Sequence, residues 1–372
     1  MTGMLIMIAL LAIIPAANSL INLFLLRTPD LPQDMPKVSV LIPARNEENN
    51  IGACVDAVLA SINVEIEVIV LDDGSTDLTR KIVEARAAGD SRLRIADAPE
   101  LPPGWMGKSH ACSVLSEMAR SPFLLFIDAD VRIAPDAAAR LVPPKGVDLL
   151  SGFLRQRMTG ALQLAVIPMI SSLIYGYLPV AFMRWSSHPM FSVACGQLIM
   201  VRAAAYREAG GHAAIAGFMH DGMQLARLFR QRGLITNLVD GTHLAECKMY
   251  DNAETLVDGF AKNATEGMAR PIALPVWTVL LVGGHLMSVL ATAGVLWMGT
   301  YATAPGIYVL IATLSLAVAR TLQAIKCREP LISVLLHPAG VIITLLIQWR
   351  ALYLAVRGQQ VYWRGRPYVP KL

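Results

Sequence analysis

Acidic residues in this chain follow apolar runs, at spacings suited to holding a cation. Phe123 to Ile127 are five apolar residues in a row, which predicts a strand buried on both faces, and they run directly into Asp128, Ala129 and Asp130. Strand alternation would aim both carboxylates to one side, where a divalent cation bridging them could also hold a diphosphate. An isolated Asp-x-Asp is more often an ordinary acidic turn. Here two similar clusters accompany it: Pro43 to Glu47 after Val38–Ile42, and Asp72, Asp73, Gly74 and Ser75 after Val68–Leu71.

The elements that would carry these residues alternate. A helix is expected near Glu47 with Ile51, Val55 and Leu59 on its inner face, and another through Ile82 and Val83 with Asp77 as N-cap. A short strand, Leu93 to Ala96, precedes a Pro- and Gly-rich loop that carries Lys108, and a helix through Leu115 and Met118 leads into the strand at Phe123. Alternation of this kind predicts an α/β fold, a mostly parallel sheet with helices on both faces. Ligands of such sheets sit outside the carboxyl ends of the strands, where the three clusters fall. Further on, FSVACGQLIMVRAAAYREAGGH reads as a strand and a helix closed by Gly210 and Gly211. A second helix follows with Leu225, Leu228 and Phe229 on one side and His220 and Asp221 at its N-terminus. Leu256, Phe260, Ala264 and Met268 predict an interfacial helix over 252–268.

Composition says what surrounds that domain. Only 16% of the 372 residues are charged, and the mean hydropathy is +0.50, which points to a protein partly solvated by lipid. Residues 4–26 carry no charge and are long enough to cross a hydrocarbon core of roughly 30 Å. Arg27 and Lys37 follow that run, the reverse of a cleaved signal, so residues 1–27 are expected to be a retained anchor whose C-terminal end faces the cytoplasm. Apolar runs at 271–299, 305–322 and 331–356, the last interrupted by His337, Pro338 and Gly340, predict a membrane section over 271–356. Residues 161–183 are also apolar. Because a full crossing there would split the 36–270 domain across the membrane, a Pro- and Gly-broken interfacial hairpin is expected. Residues 357–372 form a basic tail suited to a membrane surface. An anchor plus three late spans would put this tail outside, against the positive-inside tendency, so either 331–356 is re-entrant or one span is misassigned. The net charge of +4 is too dispersed for nucleic acid. Five cysteines lie far apart without a CxxC pair, so neither a disulfide framework nor a zinc site is indicated.

With these residues in place, the chain resembles a membrane-bound family 2 glycosyltransferase of the GT-A (Rossmann-like) fold. The likeness rests on VSVLIPARNEE, VIVLDDGSTD, FIDAD and HDGMQLARLFRQRG, in that order, and covers roughly residues 37–270. LPPGWMGKSHAC, KMYDNAETLVDGFAKNATEG and VYWRGRPY are further similar to bacterial enzymes of hopanoid or carotenoid glycosylation, and more distantly to ceramide glucosyltransferases. The resemblance implies a nucleotide-sugar domain with a mostly parallel mixed sheet, flanked by N- and C-terminal transmembrane helices. It also implies inverting transfer of a single sugar from a nucleotide-sugar, a UDP-sugar, to a membrane lipid. The acceptor would be a hopanoid, a carotenoid or another polyisoprenoid or sphingoid-like lipid, reached from a cytoplasmic catalytic domain in the bacterial plasma membrane.

By the same analogy Pro43, Arg45, Glu47, Asp72 and Asp73 would form the nucleotide pocket. Asp128 and Asp130 would hold Mg2+ or Mn2+ against the diphosphate, with Lys108 as the second cation there. Asp221 would be the base that takes the acceptor proton. The family shows two adjacent acids at this helix, whereas this chain has His220, Asp221 and Gly222, which leaves the second acid's place without a carboxylate. His220 could then act as base or orient Asp221. Gly196 and Gln197 would shape the acceptor side.

Rival readings are weaker. A nucleotidyltransferase would need a Gly-rich basic loop where this chain has PARNEENN. A processive polysaccharide synthase would carry QxxRW, which Gln348, Trp349 and Arg350 match only superficially. A non-catalytic membrane scaffold would have no use for Asp128, Asp130 and Asp221 together.

Overall fold

In a computed structural model of the chain, the structure describes residues 2–359, 361–363 and 366–368. Arg364 and Lys371 of the expected basic tail lie outside them. The chain divides into two compact units, Leu26–Gln156 with Val180–Lys248, and Met1–Leu25 with Arg157–Pro179 and Met249–Leu372.

The first unit is built on an eight-stranded mixed sheet of order β3-β2-β1-β4-β7-β6-β8-β5. Its strands are β1 (Lys37–Ala44), β2 (Glu65–Asp72), β3 (Leu93–Asp97), β4 (Phe123–Ile127), β5 (Val131–Ile133), β6 (Leu149–Gln156), β7 (Leu198–Arg202) and β8 (Thr236–Cys247). β1 to β4 run parallel, β7 runs antiparallel to β4 and β6, and β8 lies parallel to β6. β1, β2 and β4 are central and covered on both faces, which is why their sequences are apolar without alternation. Register fixes what meets at the carboxyl ends: Ala44 pairs with Asp72 and Leu41 with Phe126, while Ile127 pairs with Leu198 across the antiparallel step.

Local signals moved several boundaries. The helix expected near Glu47 starts at Ile51, because the Glu47 carbonyl first accepts from the amides of Asn50 and Ile51 in a turn, both at 2.8 Å. Asp77 does not cap the next helix formally; its Oδ1 accepts from the amide of Thr79, where that helix begins, at 2.9 Å. Lys108 is not in a loop but in the first turn of the helix Gly107–Met118. β6 and β8, which pair over eight residues with a shift between Leu154 and Arg155, were not foreseen at all.

The second unit is helical. Among the described residues, four helices are long and apolar enough to cross a membrane: Thr2–Leu25, Ala273–Trp297, Ala304–Lys326 and His337–Val356. The last is unbroken, with Pro338 in its first turn, where the missing amide hydrogen costs nothing, so the interruption lies before it at Leu336. Residues 161–177 form two short helices, Ala161–Val166 and Pro168–Tyr177. The C-terminal carbonyls of the second are met by the Thr2–Leu25 helix: Asn18 donates to Tyr175, Gly176 and Leu178, and Asn22 to Tyr175 and Leu178. The helix expected over 252–268 ends at Lys262 and is followed by a short 3-10 turn, Ala264–Glu266.

Candidate active site

The sheet unit gathers its chemistry-bearing residues at the carboxyl ends of β1, β2 and β4 and at the start of β7. β4 stops at Ile127, and Asp128 to Val131 form a tight turn closed by the Val131 amide on the Asp128 carbonyl at 3.0 Å. The two carboxylates are therefore spaced by a turn and not by strand alternation, and they face different partners. Asp128 Oδ1 lies 2.6 Å from Lys108 Nζ. Asp130 shares a hydrogen bond with the thiol of Cys247, and its Oδ1 is buried with no partner.

Lys108 ties three segments together. Besides Asp128, its ammonium reaches Asp221 Oδ2 at 3.0 Å and donates to the Gly196 carbonyl at 3.0 Å. Asp221 opens the helix Asp221–Gln231, where a carboxylate suits the positive end of the helix dipole, and His220 sits at the N-cap without a capping bond. The amide of Asp128 donates to the Gln197 carbonyl at 3.3 Å. The Gln197 side chain turns the other way, accepting from Gln156 Nε2 at 3.0 Å and donating to Cys247 Sγ at 3.0 Å. Thus Lys108, Asp128, Gly196, Gln197 and Asp221, 113 positions apart at the extremes, form one bonded group.

Beside it lies the expected nucleotide cluster. Asp72 Oδ1 accepts from the Ser75 amide at 2.9 Å, and Arg45 donates to the Asp73 carbonyl at 2.6 Å. Buried Glu47 accepts from Asn50 at 2.9 Å, and its amide donates to Thr79 Oγ1 at 2.7 Å. Pro43 lies within β1, opposite Leu71. β1 alone separates β2 from β4, so Asp72 lies about 10 Å from the Asp128 turn at ordinary strand spacing.

A family model, glycosyl transferase family 2, matches residues 39–154. Those residues are a family 2 glycosyltransferase domain. Among curated relatives, the 4,4'-diaponeurosporenoate glycosyltransferase of Staphylococcus haemolyticus (strain JCSC1435) is 24% identical over 62% of this chain and 61% of its own length. The protein of that name from Staphylococcus aureus (strain N315) is 25% identical over 65% of this chain and 64% of its own. The matched region thus spans a little over three fifths of either relative. Among solved structures, the mannosyltransferase PcManGT of Pyrobaculum calidifontis, in complex with GDP-Man and Mn2+, is similar with a TM-score of 0.50. It is 16% identical over 93% of this chain and 99% of its own, a likeness of fold.

Burial and charge set the protonation states around the family 2 domain. Burial pushes the Asp130 carboxyl up, and the charges of Asp128 and Glu47 push it further, to about 7. Burial opposes the Lys108 ammonium, but Asp128 and Asp221 outweigh it and hold the amine well above the usual lysine value. Burial would raise Asp221 too, yet Lys108 foremost holds its carboxyl below the ordinary range. His212 is buried and neutral, pushed down to about 4 by desolvation, and its Nδ1 meets the Tyr206 hydroxyl at 2.7 Å.

A cation at the Asp128–Asp130 turn fits these groups. Asp130 has an unpartnered buried oxygen and an unfavourable negative neighbour, both of which a divalent ion would relieve. Among the described residues no three His, Cys, Asp or Glu side chains form a ready cage. The remaining positions would fall to diphosphate oxygens and water, the usual habit of Mg2+.

The place of the second acid is not open space. A Cβ at Gly222 would lie 2.5 Å from the Gly196 amide nitrogen and 2.7 Å from the Ala194 carbonyl oxygen, and one at Gly196 would lie 2.6 Å from Asp221 Oδ1. The β7 approach has taken the volume a carboxylate would need. Gly222→Ala should therefore cost about 1–3 kcal/mol of stability, read as a lower unfolding midpoint in detergent; an unchanged midpoint would show that residues 194–196 yield freely.

Sequence reasoning missed Gln156 and Cys247. They stand at the ends of β6 and β8, and the only available signal was their position at the close of two partly alternating runs.

Proposed function

We propose that the protein is an inverting glycosyltransferase that moves a single sugar from a UDP-sugar to a hydroxyl or carboxyl carried by a membrane lipid. In this reading it lies in the bacterial plasma membrane with its 36–270 region, interfacial segment 161–183 included, on the cytoplasmic side. The observation that carries the reading is the Lys108–Asp128–Asp221 group, a retained ammonium between a carboxylate suited to a cation and one suited to a proton.

Pro43, Arg45, Glu47, Asp72 and Asp73 bind the nucleotide, one carboxylate meeting base and ribose donors. Asp128 and Asp130 would hold Mg2+ or Mn2+, which would supply positive charge against the departing diphosphate. Lys108 supplies a positive charge to the same oxygens. Asp221, ionised at neutral pH, takes the acceptor's proton as the new bond forms on the opposite face of the sugar. Gly196 and Gln197 flank Asp221 on the acceptor side, and the missing side chain at Gly196 is what lets the Asp221 carboxylate pack there. The relatives named for 4,4'-diaponeurosporenoate and the four apolar helices support a lipid as acceptor.

The test is release of nucleoside diphosphate by the detergent-purified protein, with a panel of nucleotide sugars and total membrane lipid. Release should require both the lipid and a divalent cation, and chelator or Asp130→Ala should abolish it. Lipid-independent release of the same size would overturn the acceptor assignment. Because Asp130 is neutral below about 7, a cation must displace its proton there. Mn2+ affinity in the presence of UDP should accordingly fall about ten-fold per pH unit below that point and level off above it. Electron paramagnetic resonance titrations read this directly, and Asp130→Asn should flatten the dependence. A flat profile in the unaltered protein would remove Asp130 from the cation site.

A further inference from the structure

The helical unit contains a polar site that glycosyl transfer leaves unexplained. Arg320 and Glu329 form a buried ion pair at 2.6 Å, 4% and 6% exposed. Glu329 also accepts from Ser171 Oγ at 2.6 Å, and Arg320 Nη2 donates to Ser333 Oγ at 2.9 Å. Charge is thereby balanced, but hydrogen bonding is not. Arg320 Nε and Nη1, Gln323 Oε1, Ser172 Oγ and His337 Nδ1 are buried without partners, and their residues line one cavity of about 10 Å3. That is about the space of one hydroxyl oxygen.

The cavity is reached by a hydrogen-bonded line of rings. Tyr177 Oη contacts His285 Nε2 at 3.0 Å, and His285 Nδ1 contacts His337 Nε2 at 2.8 Å. His285 lies in a π-helical turn, Val282–Leu286, of a helix long enough to span a membrane. Such turns and such polar groups within apolar helices are costly and mark functional positions more often than not. A buried polar group left without a partner is costly, so several around one small space call for an occupant that satisfies them together.

The chemistry of the lining selects that occupant. Arg320 can only donate, and Gln323 Oε1 can only accept. A carboxylate or phosphate would satisfy Arg320 but set its lone pairs against Gln323, with the compensating charge already supplied by Glu329. An ammonium would suit Gln323 and face Arg320. An ether accepts but cannot donate. A hydroxyl does both, and Ser172 and His337 can serve either role.

We propose that this cavity is a binding site for the hydroxyl end of a neutral membrane lipid alcohol, held by Arg320 and Gln323. Leu316, which lines the cavity, is itself partly exposed on the Ala304–Lys326 helix, so it reaches from the site toward the surface that lipid would cover. The site is distinct from the donor and base residues of the sheet unit and does not depend on them.

The test uses the full chain in detergent with three probes of one tail: geranylgeraniol, its methyl ether and geranylgeranoic acid. Geranylgeraniol should raise the unfolding temperature and bind at least ten-fold more tightly than the ether or the acid. Gln323→Leu should erase that preference, and Ser172→Ala, a smaller change, should reduce it several-fold. Equal binding of the three probes, or a preference for the acid, would overturn the proposal. So would a failure of every probe to shift the transition, which would leave water as the only hydroxyl the cavity takes.

Discussion

Asp221→Asn should lower kcat roughly a thousand-fold while leaving the affinity for UDP within a few-fold. The substitution keeps the shape of the side chain, including an oxygen for Lys108 at the 3.0 Å position, and removes only the capacity to accept a proton. Asp221 is 8% exposed and starts a helix, so it is held in place by backbone and not by solvent. Its ionisation at neutral pH is held foremost by Lys108, acting against the desolvation of the carboxyl. His220→Asn is the matching control. It occupies the N-cap one residue earlier and should cost only a few-fold. Reversal of the two results, a large loss at His220 with a small one at Asp221, would move the base to the imidazole. Single-turnover release of diphosphate, with donor binding followed by calorimetry, separates the chemical step from binding in both variants.

The residues that allow such a test were legible in sequence to different degrees, for physical reasons. β1, β2 and β4 are covered on both faces, so their unbroken apolar runs ending in acids signalled both the strands and the mouth they form. β6 and β8 lie toward the other side of the sheet and mix polar with apolar residues, as in LLSGFLRQ and TNLVDGTHLAEC. Neither period stood out, and Gln156 and Cys247 went unseen with them. Lys108 was placed in a loop because Pro102, Pro103 and Gly104 precede it, yet the helix begins only three residues past Gly104. In the helical unit, Asn18 and Asn22 sit inside the apolar run of residues 4–26, and nothing in the sequence says what they meet. They are there to satisfy carbonyls at the end of a neighbouring helix, a role that only three-dimensional placement reveals. Gly222 is the sharpest case: a missing carboxylate in sequence is a close backbone approach in space.

Lys108→Met should reduce kcat/KM about 10²–10³-fold, the cost of removing one preorganised electrostatic partner of the reacting groups, and should also change the shape of the pH profile. Three contacts go at once, to Asp128, Asp221 and the Gly196 carbonyl. Of these the Asp221 contact is the one that titration reads. Burial raises that carboxyl and Lys108 is the leading influence that lowers it. Without the ammonium, desolvation loses its chief opponent, so Asp221 holds its proton to higher pH. The proton-accepting form is then lost sooner as pH falls, and the acid limb of kcat/KM moves upward. Lys108→Arg retains the charge and should keep the limb near its original position, even where the planar guanidinium fits the three partners poorly and the plateau drops. The decisive comparison is therefore between limb and plateau across the three proteins. A Lys108→Met enzyme slowed equally at every pH, with its acid limb unmoved, would mean that the lysine serves the diphosphate alone and that Asp221 owes its low pKa to something else.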